Sequence, residues 1–308
     1  MNPLSLITSE ATLVLQGITG RQGASQVQRL LGSGTRLIAG VAPGHAGEFV
    51  DGVPVFDTVA DAMVGTNPQI AMILVPPSSA PSAVHEAFEA GIKVIVLITE
   101  HIATQTTLDL VEEAKERDIH LIGPNTAGLI LPGRIKIGIM AHEMYLPGRI
   151  ALLSRSGTLM SEVAHQLTQR GIGQSICLDI GGDLIVGVEF VEVLEWLRED
   201  QMTEAVVVLG EIGGQQEEEV AAYLNSVRYP KPVYGLIVGH HAPQGKRMGH
   251  AGALVDGIAA TAAVKTQRLA QAGVSVAGFV DELARLIGRD FGDIAPDSVN
   301  DDNRSRTQ

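Results

Sequence analysis

The feature that most restricts how this chain can fold is a recurring unit: an unbroken apolar run, then Gly, Ser or Pro, then an amphipathic stretch. "TLVLQG" leads into "RQGASQVQRLLGSG", "IAMILVPP" into "APSAVHEAFEAG" and "KVIVLITE" into "TLDLVEEAKERD", with "RLIAGV" and "HLIGPN" as further runs. Runs that do not alternate polar with apolar residues suit strands covered on both faces, as in a parallel sheet wrapped by helices. A doubly wound α/β architecture is expected. Around "YLPGRIALLSRSG" the pattern starts afresh, with "IALLS" before "GTLMSEVAHQLTQRG", "SICLDI" before "GGD", "AVVVLGE" before "QQEEEVAAYLNSV", and "VYGLIVG" before "PQGKRMGHAGAL". Pro147-Gly148 marks the expected hinge. The 308 residues then divide into a first domain at 1–147, a second at 148–290 and a polar, mobile tail at 291–308.

Charge and cysteine usage narrow the function. A formal charge of −13 argues against a general attraction to nucleic acid or to an anionic membrane, so an anionic ligand must be held by local dipoles and a few cations. Cys177, the single cysteine, sits in "SICLDI" and reads as a small buried hydrophobe rather than a nucleophile. "MNPLSLITSE" lacks the pattern of a signal peptide, and no apolar run reaches the roughly 18 residues of a membrane span. A soluble, cytoplasmic protein is expected.

In open parallel sheets ligands gather at the carboxyl ends of strands, and the glycine-rich punctuation lies there. "LQGITGRQG" puts Gly17, Gly20 and Gly23 between the first strand and its helix, where backbone N–H groups and the helix dipole can meet an anion. The spacing is G-x-x-G-x-x-G, not G-x-G-x-x-G, and the second strand ends in Ala42-Pro43-Gly44, without the carboxylate that binds an NAD ribose. A different phosphate-bearing ligand is favoured over a nicotinamide cofactor, with glycines serving helix packing alone as the other alternative.

His250 stands among glycines after the strand "VYGLIVG", in a loop delivered to the same edge. It can serve as a general base, a phosphate-accepting nucleophile, a metal ligand or a plain surface residue. Glu211 in "GEIGG" follows the neighbouring strand and can orient an imidazole by accepting from one ring N–H. "SRSGTL" places Ser154, Ser156, Gly157 and Thr158 at a helix start suited to phosphate. Together these describe a phosphohistidine site. His240 and His241 in "GHHAPQG" make a metal pair conceivable, but no further ligand follows at a usual spacing, so no metal is expected on this chain.

In this order, "GITGRQG", "GVPVFDTV", "AGIKVIVLITE", "IGPNTAG", "SRSGTL", the "GIGGDLI"-like "DIGGDLI", "TEAVVVLGEIGG" and "GKRMGHAGAL" resemble the α subunit of succinyl-CoA synthetase, the ADP- or GDP-forming succinate–CoA ligase, over about residues 10–288. The resemblance implies a Rossmann-like CoA-binding domain followed by a flavodoxin-like ligase domain. It implies that His250 is transiently phosphorylated beside Glu211. It puts Thr19, Gly20, Arg21 and Gln22 on the CoA-binding turn, and Ile98, Thr99 and Glu100 on a second CoA-contacting strand end. An ATP-grasp β subunit, in an αβ or α2β2 assembly, is implied to hold ATP or GTP and Mg²⁺; this chain has no G-x-x-x-x-G-K-[ST] loop. His45 stands where the family usually has a CoA-contacting lysine, Thr126 where a cysteine is common, and Ser161 where the family has a tyrosine near the substrate. With Asn125, the last two are expected near a small carboxylic acid, and their added hydroxyls and room point to a substituted acid rather than plain succinate. A CoA-binding regulatory paralogue without turnover is the alternative.

Overall fold

The structure, a computed structural model, describes residues 2–243, 245–254 and 260–292. Seven strands form the first sheet: β1 (Thr12–Gln16), β2 (Arg36–Val41), β3 (Phe49–Val50), β4 (Val53–Phe56), β5 (Ile70–Ile73), β6 (Val94–Leu97) and β7 (His120–Ile122). Their order is β3-β4-β2-β1-β5-β6-β7, and every pair is parallel except β3 with β4. The helices α1 (Arg21–Gly32), α2 (Val59–Thr66), α3 (Ala80–Glu89) and α4 (Thr104–Glu116) cover it. Leu13, Leu15, Ile70 and Met72 pack in one buried cluster with Val27 and Leu30 of α1. Val14, Ala71, Ile73 and Ile95 pack in another with Ala62, Val84 and Leu110 of the remaining helices. Both faces of the sheet are therefore apolar, which is why the strand sequences do not alternate. Each of the Val, Leu, Ile and Met side chains contributes roughly 1.5–3 kcal/mol on burial.

The second sheet contains β8 (Gly128–Leu131), β9 (Ile135–Gly138), β10 (Pro147–Ser154), β11 (Gln174–Asp179), β12 (Ala205–Glu211), β13 (Val233–Val238) and β14 (Ser275–Ala277). The run β11-β10-β12-β13-β14 is all parallel and has the flavodoxin-like order 2-1-3-4-5. Helices α5 (Gly157–Gln169), α6 (Phe190–Arg198), α7 (Gln216–Ser226), α8 (Ala262–Gln271) and α9 (Val280–Phe291) complete this domain. Cys177 is fully buried in its core, where burial pushes the thiol pKa well above its ordinary value.

The expected hinge at Pro147-Gly148 is not where the chain changes sheets. The antiparallel hairpin β8–β9 already belongs to the second sheet, paired through β8 with β11, so the change falls between Ile122 and Gly128. Pro147 is instead the first residue of β10. The hairpin depends on two glycines in close approach: a Cβ on Gly128 would lie 2.1 Å from the Ile137 carbonyl oxygen. It is also fastened to the first domain, because Thr35 Oγ1 donates to the Lys136 carbonyl at 2.7 Å and accepts from the Lys136 N–H at 3.0 Å. Of the expected tail, Phe291 closes α9 and residues 293–308 lie outside the described residues. Among the described residues no helix is long and apolar enough to cross a membrane.

Candidate active site

The segments that follow β1, β5, β6 and β10, together with the carboxyl end of β11, border one cavity of about 940 Å³ between the two domains. The first domain contributes Gly20, Arg21 and Gln22 at the start of α1, together with Ile98, Thr99 and Glu100. From the second come Ser156, Gly157, Thr158, Ser161, Asp179 and His250, and the connecting stretch adds Asn125 and Thr126.

The glycine turn divides its labour. Gly17 has φ +87°, and a Cβ there would lie 2.3 Å from the Leu74 carbonyl oxygen; on Gly23 it would lie 2.1 Å from the Gly17 carbonyl oxygen. These two permit the close crossing. Gly20 is the N-cap of α1 with no side-chain cap, so the unpaired N–H groups of the first turn remain available to an anion at the cavity. Gly23→Ala is accordingly expected to destabilise the first domain by about 1–3 kcal/mol through overpacking, read as a lower midpoint in chemical denaturation.

Four expected residues fall outside this cavity; one, Glu211, reaches it through His250. Thr19 does not line it. His45 sits in a loop whose N–H groups at Gly44, His45 and Ala46 all donate to Asp57 Oδ1, and its Nδ1 lies 3.0 Å from Glu48 Oε2. The imidazole thus faces a carboxylate of its own loop. Ser154 is buried, donating through Oγ to the Ser156 carbonyl at 2.9 Å and accepting the Ser156 N–H at 2.9 Å. It shapes the entry to α5. Ser156 caps that helix by accepting the Leu159 N–H at 3.4 Å, and Thr158 is exposed beside it.

His250 and Glu211 meet. The imidazole Nδ1 lies 3.0 and 3.1 Å from the two Glu211 carboxylate oxygens, so it carries the proton and donates, leaving Nε2 as the ring nitrogen able to accept a phosphoryl group. The hydrogen bond from Glu211 raises the His250 pKa above 6.5, burial opposes it, and the negative charges of Glu211 and Asp179 add to it. The ring lies against Gly182, where a Cβ would stand 2.5 Å from His250 Cγ. Gly182→Ala should therefore displace the ring from Glu211. An NMR titration is expected to show the His250 midpoint falling back toward 6.5; an unmoved midpoint would mean the loop absorbs the methyl group.

Beneath the pair lies a charge network that sequence reasoning missed. Glu217 is fully buried, accepts the Glu211 N–H at 3.1 Å and pairs closely with Lys265, also fully buried. Lys265 Nζ and Arg155 donate to the same Gly213 carbonyl at 2.6 and 2.8 Å. Arg155 also lies 3.8 Å from both Glu211 and Glu217. Two cations thus fix the "EIGG" turn that presents Glu211. Gly213, at φ +77°, lets the histidine loop cross it, since a Cβ there would lie 2.1 Å from the Gly252 carbonyl oxygen.

The expected substrate residues are placed differently from one another. Asn125 lines the cavity in a left-handed conformation, φ +55°, with Nδ2 donating to Asp183 at 2.9 Å. Thr126 is buried, its hydroxyl donating to the Asp179 carbonyl and accepting the Gly128 N–H at 2.8 Å. Ser161 donates to the Gly157 carbonyl at 2.8 Å and lies 2.8 Å from the Tyr145 hydroxyl. Both residues line the cavity, with each hydroxyl proton already given to a backbone carbonyl and one acceptor position left on each oxygen. Ile139, Met140, Ala141 and Met144 give this end of the cavity an apolar wall. His240 and His241 border a separate cavity of about 340 Å³ behind Glu211, and the described residues contain no cluster of three side chains that could hold a metal ion.

Comparison with known proteins matches residues 8–101 to the CoA binding domain family and residues 153–275 to the CoA-ligase family. A succinate–CoA ligase [ADP-forming] subunit alpha 2 from Archaeoglobus fulgidus is 45% identical over 92% of this chain and 99% of its own length. Subunit alpha of the same enzyme from Methanothermobacter thermautotrophicus is 42% identical over 92% of this chain and 97% of its own. Among solved structures, ATP citrate lyase from Methanothrix soehngenii superposes with a TM-score of 0.82 at 22% identity, covering 92% of this chain. This chain spans 50% of that protein, and the likeness supports the fold.

Proposed function

Because the chain belongs to the alpha-subunit family of ADP-forming succinate–CoA ligases, we propose that it is one half of an acid–CoA ligase whose phosphoryl carrier is His250. The observation that carries this reading is that His250, held by Glu211, borders the same cavity as the uncapped start of α1. One ring nitrogen faces a carboxylate, and the other is left for chemistry.

CoA fits the first domain. The α1 N-terminus, without a side-chain cap, and the Gly17–Gly23 turn suit its phosphates, and the cavity leads from there to His250. When bound, CoA supplies a thiol nucleophile. Gly20, Arg21 and Gln22 would hold it, with Ile98, Thr99 and Glu100 at the next strand end. The nucleoside triphosphate and Mg²⁺ are assigned to an ATP-grasp β subunit, as the resemblance implies.

His250 takes the phosphoryl group at Nε2 while Glu211 stabilises the cationic ring through Nδ1–H. The N–P bond then breaks as a carboxylate oxygen of the acid accepts the group. Sulfur displaces phosphate from the resulting acyl carbon, closing the thioester. The start of α5 offers the passing phosphoryl group a positive dipole, with Ser156, Gly157 and Thr158 at the cavity.

The test is ADP release by this chain reconstituted with its ATP-grasp subunit, with ATP, Mg²⁺, CoA and a panel of small acids. Sustained release, beyond the single ADP that phosphorylation of each His250 liberates, is expected only when both subunits, an acid and CoA are present. Sustained CoA-independent release that no acid stimulates would contradict the reading.

A further inference from the structure

Asp179 is a buried carboxylate in the wall of the cavity, only 2% exposed, and the mechanism above does not use it. It ends β11. The Ala127 N–H donates to its Oδ2 at 2.7 Å and the Gly181 N–H to its Oδ1 at 3.2 Å. A carboxylate has about four acceptor positions, so these two bonds fix the group and leave acceptor capacity on each oxygen. Among the described residues no Lys or Arg forms an ion pair with it. A buried carboxylate of this kind is unfavourable unless something donates to it or neutralises it. Burial raises its pKa to about 6, with the two N–H bonds and His250 opposing and Glu211 reinforcing.

Its position says what that donor is. Gly181 binds Asp179, and Gly182, the next residue, underlies the His250 ring. On the other side, a Cβ on Gly157 at the start of α5 would lie 3.2 Å from Asp179 Oδ2. Asp179 therefore stands between the phosphoryl carrier and the helix start, where the reacting carboxyl of an acid must come. Thr126 and Ser161 are committed to other partners and leave this role unfilled.

We propose that Asp179 selects the acid substrate by accepting a hydrogen bond from a hydroxyl or amine carried on the carbon next to the reacting carboxyl. The "DIGGDLI" stretch differs from the similar "GIGGDLI" run in opening with the carboxylate of Asp179. An acid without the donor brings an anion against a second anion. An acid with it turns the same carboxylate into a specific contact, and sites built to bond a substrate hydroxyl or amine reject analogues lacking it strongly.

This inference deepens the ligase reading and rests on it, so the experiment separates the two. The reconstituted enzyme is assayed with succinate, 2-hydroxysuccinate and 2-aminosuccinate, and with propanoate, lactate and alanine. In wild type at least one donor-bearing member of a set should exceed its parent in kcat/KM by about 10²-fold or more; hydroxy and amino members show which donor is used. Asp179→Gly should collapse that ratio and raise activity toward the parent acid. Asp179→Asn, which keeps the size of the side chain but turns its NH2 toward one of the two N–H groups, should lower the ratio at a modest cost in thermal stability. A parent acid preferred in wild type, or a ratio unchanged in both variants, overturns the proposal. If His250 takes no label from ATP, the ligase reading fails instead. Selection by Asp179 is then judged by calorimetric binding of the same acids, where equal affinities in wild type and Asp179→Asn overturn it.

Discussion

His250→Ala should lower acid-dependent ADP release by about 10³-fold or more, because a covalent carrier has no substitute once its nucleophile is removed. CoA affinity, measured by calorimetry, should stay within about twofold, since the α1 turn belongs to the other domain and a rim change leaves it intact. Glu211→Gln should be milder. The amide keeps an oxygen for Nδ1–H but loses the charge that favours the imidazolium, so the His250 midpoint falls and turnover drops with it. The sign for stability follows from the direction of the shift. A folded pKa above 6.5 adds stability that is fully present below 6.5 and is lost as pH rises through the folded midpoint. Glu211→Gln should remove that part of the pH dependence.

The second large effect concerns Lys265. Lys265→Met should destabilise the second domain by about 3–5 kcal/mol, because it leaves buried Glu217 without its close cation. Denaturation followed by Trp196, which lies in α6 of that domain, reads it directly. Adding Glu217→Gln removes the stranded charge while keeping an oxygen to accept the Glu211 N–H. The double variant should therefore be more stable than Lys265→Met alone. If the two losses simply add, the pair is not coupled and the network does not hold the turn as described.

Much of this architecture can be read from the sequence because parallel strands buried on both faces leave an unbroken apolar signature. The hairpin β8–β9 escaped because its strands are short and the nearby Pro147-Gly148 is a stronger turn signal than the true crossing. His250 and Glu211 were legible as strand-end punctuation. Lys265 was not: in "AAVKTQRLAQ" it looks like an ordinary polar face of a helix, and only the tertiary contact of α8 with α7 buries it. Asp179 was hidden at the end of an apolar strand. Ser161, Thr126 and His45 show what sequence leaves open. Each arrives where expected in the chain, but a nearer partner takes its polar atom: the Gly157 carbonyl one helical turn back, the Gly128 N–H, and Glu48 three residues on. Sequence shows which groups reach an edge; it does not show which neighbour claims them.

The central claim is that His250 carries the phosphoryl group. The direct measurement incubates this chain and its ATP-grasp subunit with Mg²⁺ and γ-labelled ATP, then maps the label by mass spectrometry under alkaline conditions. The account predicts an acid-labile, base-stable phosphoramidate on His250 that is discharged when an accepted acid and CoA are added together. Label on Ser156, or label that persists on this chain in His250→Ala, would contradict it.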